Sequence, residues 1–453
     1  MKYAGLIILL LGISITVRSQ DAYEKFVAAF AGNYNAQNFA ASYDLNSASF
    51  NAQVTKDYFV QILSGAYASS GKITEVKQVQ SNGQGKVFHL IGERATFELS
   101  VALDAAGKAA GLFIRPAAQA GPADAPTAIG RWKSNKLNAG LVVGRIRDGK
   151  ADVQYMGVSN RQTSAPVDAN SIFEIGSISK PFTGILLQEL IAEKKISLDD
   201  PVNKFLPKGS QLAKVNGDDI LIKHLVTHSS CLPRMPSNMN PPPAEAGNPY
   251  NHYSDNMLLE FLPTVEAAAG CDLGKTSTYS NLGAGLVGYI LTKVSGKSYS
   301  DLIKERIAKP LKTESFGVTG ASPNWTQGYT TGGEPQQQWT FTDALVGAGG
   351  VDASPNDMIK LLSFLMKPDE SPLGKAVQAS TVVQQGDLKN GIATFWIRQE
   401  VAGKPVVWHN GLTGGYNAFI GWIKGTQTGV FVLSNNGEDV ATQLGLAMLG
   451  EEK

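Results

Sequence analysis

The segment RPAAQAGPADAPTA, Arg115–Ala128, is rich in Ala and Pro and has almost no bulky apolar side chain to bury. Small side chains anchor little, and each Pro removes a backbone donor, so the stretch reads as linker over residues 116–128. It divides the 453-residue chain into two parts, each of which must build its own core. The chain is long enough for both.

Ahead of the linker, YEKFVAAF and DYFVQILSGAY carry apolar residues at helical spacing. ITEVKQVQ, GKVFHLIG, ATFELSVALD and KAAGLFIRP alternate or run β-rich between turn residues. Helices followed by an antiparallel meander predict a small α+β domain over residues 21–115. It gathers no cluster of catalytic residue types. Its lone His89 lies in a strand, so the domain reads as a binding or spacer module.

The first residues, MKYAGLIILLLGISITVRSQ, place Lys2 before an apolar run, Leu6–Ile15, that is short for a membrane span. Small residues follow. The pattern predicts a secretory signal over residues 1–20, cut near Ser19 or Gln20, with a retained anchor as the alternative. Its loss moves the formal charge from +1 to −1, because Lys2 and Arg18 leave and no acid does. A near-neutral chain without basic runs has no electrostatic footprint for nucleic acid. Export to an oxidising compartment makes the only two cysteines, Cys231 and Cys271, candidates for a disulfide. Two free buried thiols are the other reading.

Beyond the linker, over residues 129–453, LNAGLVVGRIRDGKADVQYMGVSN reads as a hairpin turning at Asp148–Gly149. SISKPFTGILLQELIAEKK has helical spacing, and residues 196–300 are mostly helix and loop. KPVVWHNGLTGGYNAFIGWIKGTQTGVFVLSNN then gives three strands, and EDVATQLGLAMLG a closing helix. Strands from both ends flanking a helical insert predict one sheet assembled from the two ends of this part.

Chemistry enters at FEIGSISKPF. Ser177 and Lys180 stand three apart at a helix start, hence on one face. There the helix N-terminus favours a developing alkoxide, and burial would lower the lysine pKa until it can accept the serine proton. Pro181 is tolerated within the first turn, while Phe182, Ile185, Leu186 and Leu190 anchor the helix. An isolated match of this kind is more often a serine cap beside a surface lysine. Here it has company: Tyr279-Ser280-Asn281 precedes another apolar helix, and His409-Asn410-Gly411 falls on a strand among glycines.

In this order the three groups resemble the signatures of the penicillin-recognising serine hydrolases. The branch is that of class C β-lactamases, D-alanyl-D-alanine carboxypeptidases, D-aminopeptidases and related esterases. The resemblance covers roughly residues 130–450 and includes LVTHSSCLP, GAGGVDASPNDMIKLLSFL and VLSNN. It implies an α+β (α/β sandwich) fold, with a central antiparallel sheet flanked by helices and a helical subdomain.

The resemblance also implies roles. Ser177 is the acylated nucleophile and Lys180 takes its proton. Tyr279 protonates the leaving atom and later activates water, and it needs Lys180 nearby to gain phenolate character. Asn281 donates to an acyl carbonyl and orients Lys180, or else caps the helix that follows. His409 stands where lysine is commoner, and as donor or cation near neutral pH it would make activity titrate. Asn410 replaces a short hydroxyl that helps hold a substrate carboxylate. Gly411 lets substrate backbone approach the strand edge, and the N–H groups of Ser177 and Leu412 form the oxyanion hole. Cys231 replaces a glycine of the LVTHSSCLP loop, and a bridge to Cys271 would brace two walls of the cleft.

No metal or cofactor is expected. His224 and His228 are four apart but lack the HExxH glutamate, and no glycine-rich phosphate loop or dinucleotide fingerprint occurs. The chain therefore reads as a secreted or periplasmic serine hydrolase acting through an acyl-enzyme on amide or ester bonds. Its substrates would be small molecules, peptides or esters, cell-wall-derived D-amino-acid peptides among them. No nucleic acid is expected as partner, nor stable membrane insertion after signal cleavage. A class C-like β-lactamase and a non-catalytic ligand-binding or scaffold protein on the same fold are the alternatives.

Overall fold

The computed structural model describes residues 22–452 except 52–53, 83–84, 94–95, 117–123, 240–246, 269, 319 and 321. The expected signal segment lies outside the described residues. The chain forms two compact units, one ending at Gln119 and the other beginning at Ala120.

In the first unit, helices Ala22–Asn35, Phe39–Tyr43, Ala48–Asn51 and Lys56–Ser70 precede a four-stranded antiparallel meander. Its strands are Ile73–Asn82, Gly85–Gly92, Thr96–Leu103 and Ala109–Pro116, paired in chain order. Phe26, Phe30 and Tyr34 recur every fourth residue on the first helix and share one core with Phe88, Leu90, Leu99 and Val101 of the strands. Strand alternation leaves His89, between Phe88 and Leu90, on the opposite face.

The linker is shorter than its composition predicts. The last strand runs to Pro116, and a helix, Ala125–Ser134, opens inside the expected linker. Asp124 caps it by accepting the Thr127 N–H (2.7 Å), and Pro126 occupies an early position where no intrahelical donor is missed. Ala125 and Ala128 are buried, because small side chains let this helix pack closely with the core around Leu444 and Leu449.

The second unit is built on a nine-stranded sheet. Its centre joins the two ends of the unit: the strand Gly140–Arg147 pairs antiparallel with Gly429–Ser434, Leu141 opposite Ser434. Asp148 and Gly149 both have positive φ (50° and 75°), as the tight hairpin into Lys150–Asn160 demands. On the other side the order runs through Asn417–Ile423, Lys404–Leu412 and Ile397–Val401 to shorter strands.

Both faces of this sheet are covered, and side-chain alternation assigns each residue to one of them. Leu141, Val143, Phe419, Val430 and Val432 pack with the Ala125–Ser134 helix and the closing helix Val440–Glu451. Val142, Ile146, Ile420, Phe431 and Leu433 face the larger core that includes helix Ser179–Ala192. On that helix Phe182, Ile185, Leu186 and Leu190 are all buried, contributing about 2 kcal/mol each by the area they remove from water. No described helix is long and apolar enough to cross a membrane.

Candidate active site

Ser177 lies in a single 3₁₀ turn, Gly176–Ile178, immediately before helix Ser179–Ala192. Ser179 pins this turn: its Oγ donates to the Gly176 carbonyl (2.7 Å) and accepts from Val351 N–H (3.0 Å). Lys180 is fully buried, with Nζ 2.9 Å from Ser177 Oγ and 2.6 Å from the Ala348 carbonyl. Burial, and secondarily the Arg234 guanidinium, hold its pKa well below the usual lysine value. Among the described residues no carboxylate pairs with it. A neutral amine in this place can donate to Ala348 and offer its lone pair to the serine O–H.

The second group lies at the start of helix Asn281–Ser295. Ser280, not Asn281, caps helix Asn281–Ser295: its Oγ accepts from Gly283 N–H (2.9 Å) and donates to the Pro233 carbonyl (2.7 Å). The Tyr279 ring has Lys180 Nζ 4.8 Å from its centroid, the Arg234 guanidinium carbon 5.0 Å away, and the His228 ring 4.5 Å away. Burial pushes the Tyr279 hydroxyl up to about 12, against the smaller opposing effects of Ser177 and Arg234. Phenolate character supported by Lys180 is therefore not what this site provides, because the lysine is itself driven toward neutrality. Tyr279 is a standing proton donor.

Asn281 does not bond to Lys180 either. Its Nδ2 lies 3.2 Å from Met235 Sδ, and its buried Oδ1 has no hydrogen-bond partner among the described residues. His228 accepts the Ser280 N–H through Nδ1 (3.2 Å). It supports the tyrosine segment, and its partners are those of a structural residue. His224 likewise accepts a backbone N–H, that of Leu221 (3.1 Å).

The third group is divided by strand alternation. On strand Lys404–Leu412, His409 and Gly411 share the face of Val407, toward the larger core, while Asn410 shares that of Val406 and Trp408. Asn410 Nδ2 accordingly donates to Thr442 Oγ1 (2.9 Å) on the closing helix, and Thr442 donates onward to Asp439 (2.8 Å). It does not stand in for a cleft hydroxyl. His409 is buried, and burial together with the nearby Lys180 lowers its pKa to about 3. Its Nδ1 lies 2.6 Å from the Asn410 carbonyl. A carbonyl only accepts, so Nδ1 carries the proton and Nε2 is left as an acceptor. Of the two expected states of His409, neutral donor and cation, burial favours the neutral one.

Gly411 has a steric reason in addition to the one its position in the motif implies. A Cβ there would lie 1.9 Å from the Ile175 carbonyl oxygen and 3.0 Å from Ser177 N. Facing it, Gly176 has φ +51°, and its Cβ would meet Leu412 N and O at 3.0 Å. The two glycines let strand and serine turn touch backbone to backbone. That contact sets Gly411 against the Ser177 amide and Gly176 against the Leu412 amide.

The Beta-lactamase family model matches residues 133–449, most of the chain. The chain belongs to the beta-lactamase family. It is 29% identical to the D-alanyl-D-alanine-carboxypeptidase/endopeptidase AmpH of Escherichia coli (strain K12), over 44% of this chain and half (50%) of that protein. With a beta-lactamase of the same strain it shares 26% identity, over 65% of this chain and 84% of the relative. Among solved structures it is similar to the octameric penicillin-binding protein homologue from Pyrococcus abyssi. That likeness has a TM-score of 0.60 at 25% identity, covering 72% of this chain and 76% of the other. Kinship of this breadth supports a hydrolase of this general fold.

Within this beta-lactamase-family unit, Cys231 has φ +61°, the left-handed region that favours glycine, at a cost of about 1 kcal/mol for another residue. It is joined to Cys271 in a disulfide, with Cα atoms 5.8 Å apart. The bridge adds to main-chain bonds between the same two segments, Gly274 N–H to Ser229 O (2.9 Å) and Thr278 N–H to His228 O (2.7 Å). Opening it, by strong reduction or by changing both cysteines to Ser, is expected to lower unfolding stability by about 3 kcal/mol. Melting curves in matched oxidising and reducing buffers measure this, and identical curves would refute it.

Two participants escaped the sequence reading. The Ala348 carbonyl belongs to main chain and has no residue signal. Arg234 follows Pro233 in LPRMP, where nothing distinguishes it from a surface arginine.

Proposed function

We propose that this protein is a secreted serine hydrolase that acts through a covalent acyl-enzyme on amide or ester bonds. Its proposed activity is D-alanyl-D-alanine carboxypeptidase/D-aminopeptidase-like or esterase-like. One observation carries the reading: Lys180, buried and driven toward neutrality, lies 2.9 Å from Ser177 Oγ, with the protonated Tyr279 beside them.

Lys180 takes the Ser177 proton as Oγ attacks the carbonyl carbon, and the N–H groups of Ser177 and Leu412 hold the oxyanion. As the tetrahedral intermediate collapses, Tyr279 gives its proton to the leaving nitrogen or oxygen and recovers one from Lys180. A neutral Lys180 is thereby restored. In the second half a water gives a proton to Lys180 and attacks the ester carbonyl; as the intermediate collapses, Lys180 returns that proton to the departing Ser177 Oγ, restoring both groups and releasing the acid. Asn281, whose Oδ1 is unpartnered, turns from Met235 toward the acyl amide. A neutral His409 and a diverted Asn410 leave the third motif without a cation or a cleft hydroxyl. This favours peptidase or esterase chemistry over β-lactam hydrolysis.

Intact-protein mass over a time course, after mixing with benzylpenicillin and separately with an activated acyl ester, tests the reading. The expected result is an adduct that maps to the Ser177 peptide, transient with the ester and slow to leave with the drug. Fast release of hydrolysed penicillin would move the assignment to a class C-like β-lactamase. Absence of adduct and product with both reagents would overturn the acyl-enzyme altogether.

A further inference from the structure

Beside the site stands an exposed cation, Arg234, whose donors take no part in the proton transfers proposed above. The Arg234 carbonyl accepts the N–H groups of Asn281 (2.9 Å) and Leu282 (3.2 Å), which fixes its main chain to the start of the Asn281–Ser295 helix. Its side chain is exposed, with the guanidinium carbon 5.0 Å from the Tyr279 ring centre. Among the described residues no carboxylate lies within ion-pair distance of it, whereas Arg145, Arg147 and Arg306 all have glutamate partners. A guanidinium near a ring keeps its in-plane N–H donors for a second, planar partner.

We infer that Arg234 is the anion anchor of this site and takes a carboxylate carried by the leaving half of the substrate. The inference rests on the acyl-enzyme reading, in which Tyr279 protonates the departing atom. An anion attached close to that atom emerges beside the tyrosine ring, within the reach of the guanidinium. The strand opposite offers no competitor. His409 presents an acceptor, Nε2, which repels a carboxylate, and Asn410 is bonded to Thr442 behind the sheet. Since Lys180 is driven toward neutrality, the Arg234 guanidinium, 5.0 Å from the Tyr279 ring centre, keeps a positive charge beside the proposed proton donor. A fork of two parallel N–H donors suits a carboxylate geometrically as well as electrostatically.

The test compares kcat/KM for the 3-carboxyphenyl and phenyl esters of one acid, in the unaltered chain, Arg234→Gln and Arg234→Lys. The unaltered chain should prefer the carboxylated ester by about tenfold or more, and the preference should shrink with added salt. Arg234→Gln should erase it and Arg234→Lys retain part of it. Melting curves report that the variants are folded, and the ratio between the two esters cancels any change at Lys180 that affects both alike. Equal turnover of the two esters by the unaltered chain, or a preference that survives in Arg234→Gln, overturns the anchor alone. Failure of the unaltered chain to turn over or be acylated by either ester overturns the acyl-enzyme reading, and the anchor falls with it.

Discussion

Ser177→Ala, Lys180→Met and the double variant are expected to lose the same activity, each about 10⁴-fold in kcat/KM. The two groups act as one unit, since a serine that cannot pass its proton to Lys180 is no better than a missing one. Steady-state kinetics on an activated ester, with melting curves to show that each variant is folded, measures this. Losses that multiply in the double variant would mean that the pair does not work in concert.

The same scheme fixes the pH dependence. Activity requires Lys180 without its proton, and burial with the Arg234 charge holds that pKa well below the ordinary lysine value. Activity therefore rises with pH as Lys180 deprotonates, and this limb is absent from the residual activity of Lys180→Met. His409, with a pKa near 3, and Tyr279, near 12, bracket the working range and add no inflection of their own.

Gly411→Ala is expected to lower unfolding stability by about 3 kcal/mol and kcat by about 10²-fold. The added methyl meets the Ile175 carbonyl oxygen at 1.9 Å, and the obstacle is backbone, which cannot rotate aside as a side chain would. Relief requires the strand to part from the serine turn, which separates the two oxyanion amides. Gly332→Ala is the control, since the nearest atom there is Thr330 Oγ1 at 3.5 Å. Denaturant titration and kcat together decide it: equal losses at positions 411 and 332 would remove the special role of this contact.

The sheet of the second unit was readable because alternation assigns each strand residue to a face, and apolar runs such as those at 141–143 and 430–433 fill both faces. Alternation also held a clue to Asn410 that motif matching concealed. Neighbours on a strand point apart, and here that direction carries the longer Asn410 side chain to Thr442 on the closing helix. The linker was read too long because Asp124, Pro126 and small residues serve equally well in a loop and at a helix start. Burial was the other limit. The states of Lys180, His409 and Tyr279 depend on exclusion from water by segments distant in the chain, so ordinary pKa values misled for the histidine and the tyrosine. Arg234 was invisible for the same reason, since its meaning comes entirely from the ring beside it.

Joining the sheet from both ends of the unit governs the order in which the protein takes shape. The Gly140 N–H donates to Asn435 Oδ1, 295 positions further along, and the flanking strands pair only across that span. A chain still emerging from the ribosome holds one half of the central strand pair and lacks the other. The meander of the first unit needs only neighbouring strands, so it can be complete while the second unit waits. Until strand Lys404–Leu412 arrives, the serine turn lacks its contact with Gly411, and the proposed oxyanion pair lacks Leu412. On the proposed mechanism, the acylating site therefore comes together only after the C-terminal strands of the sheet have been made.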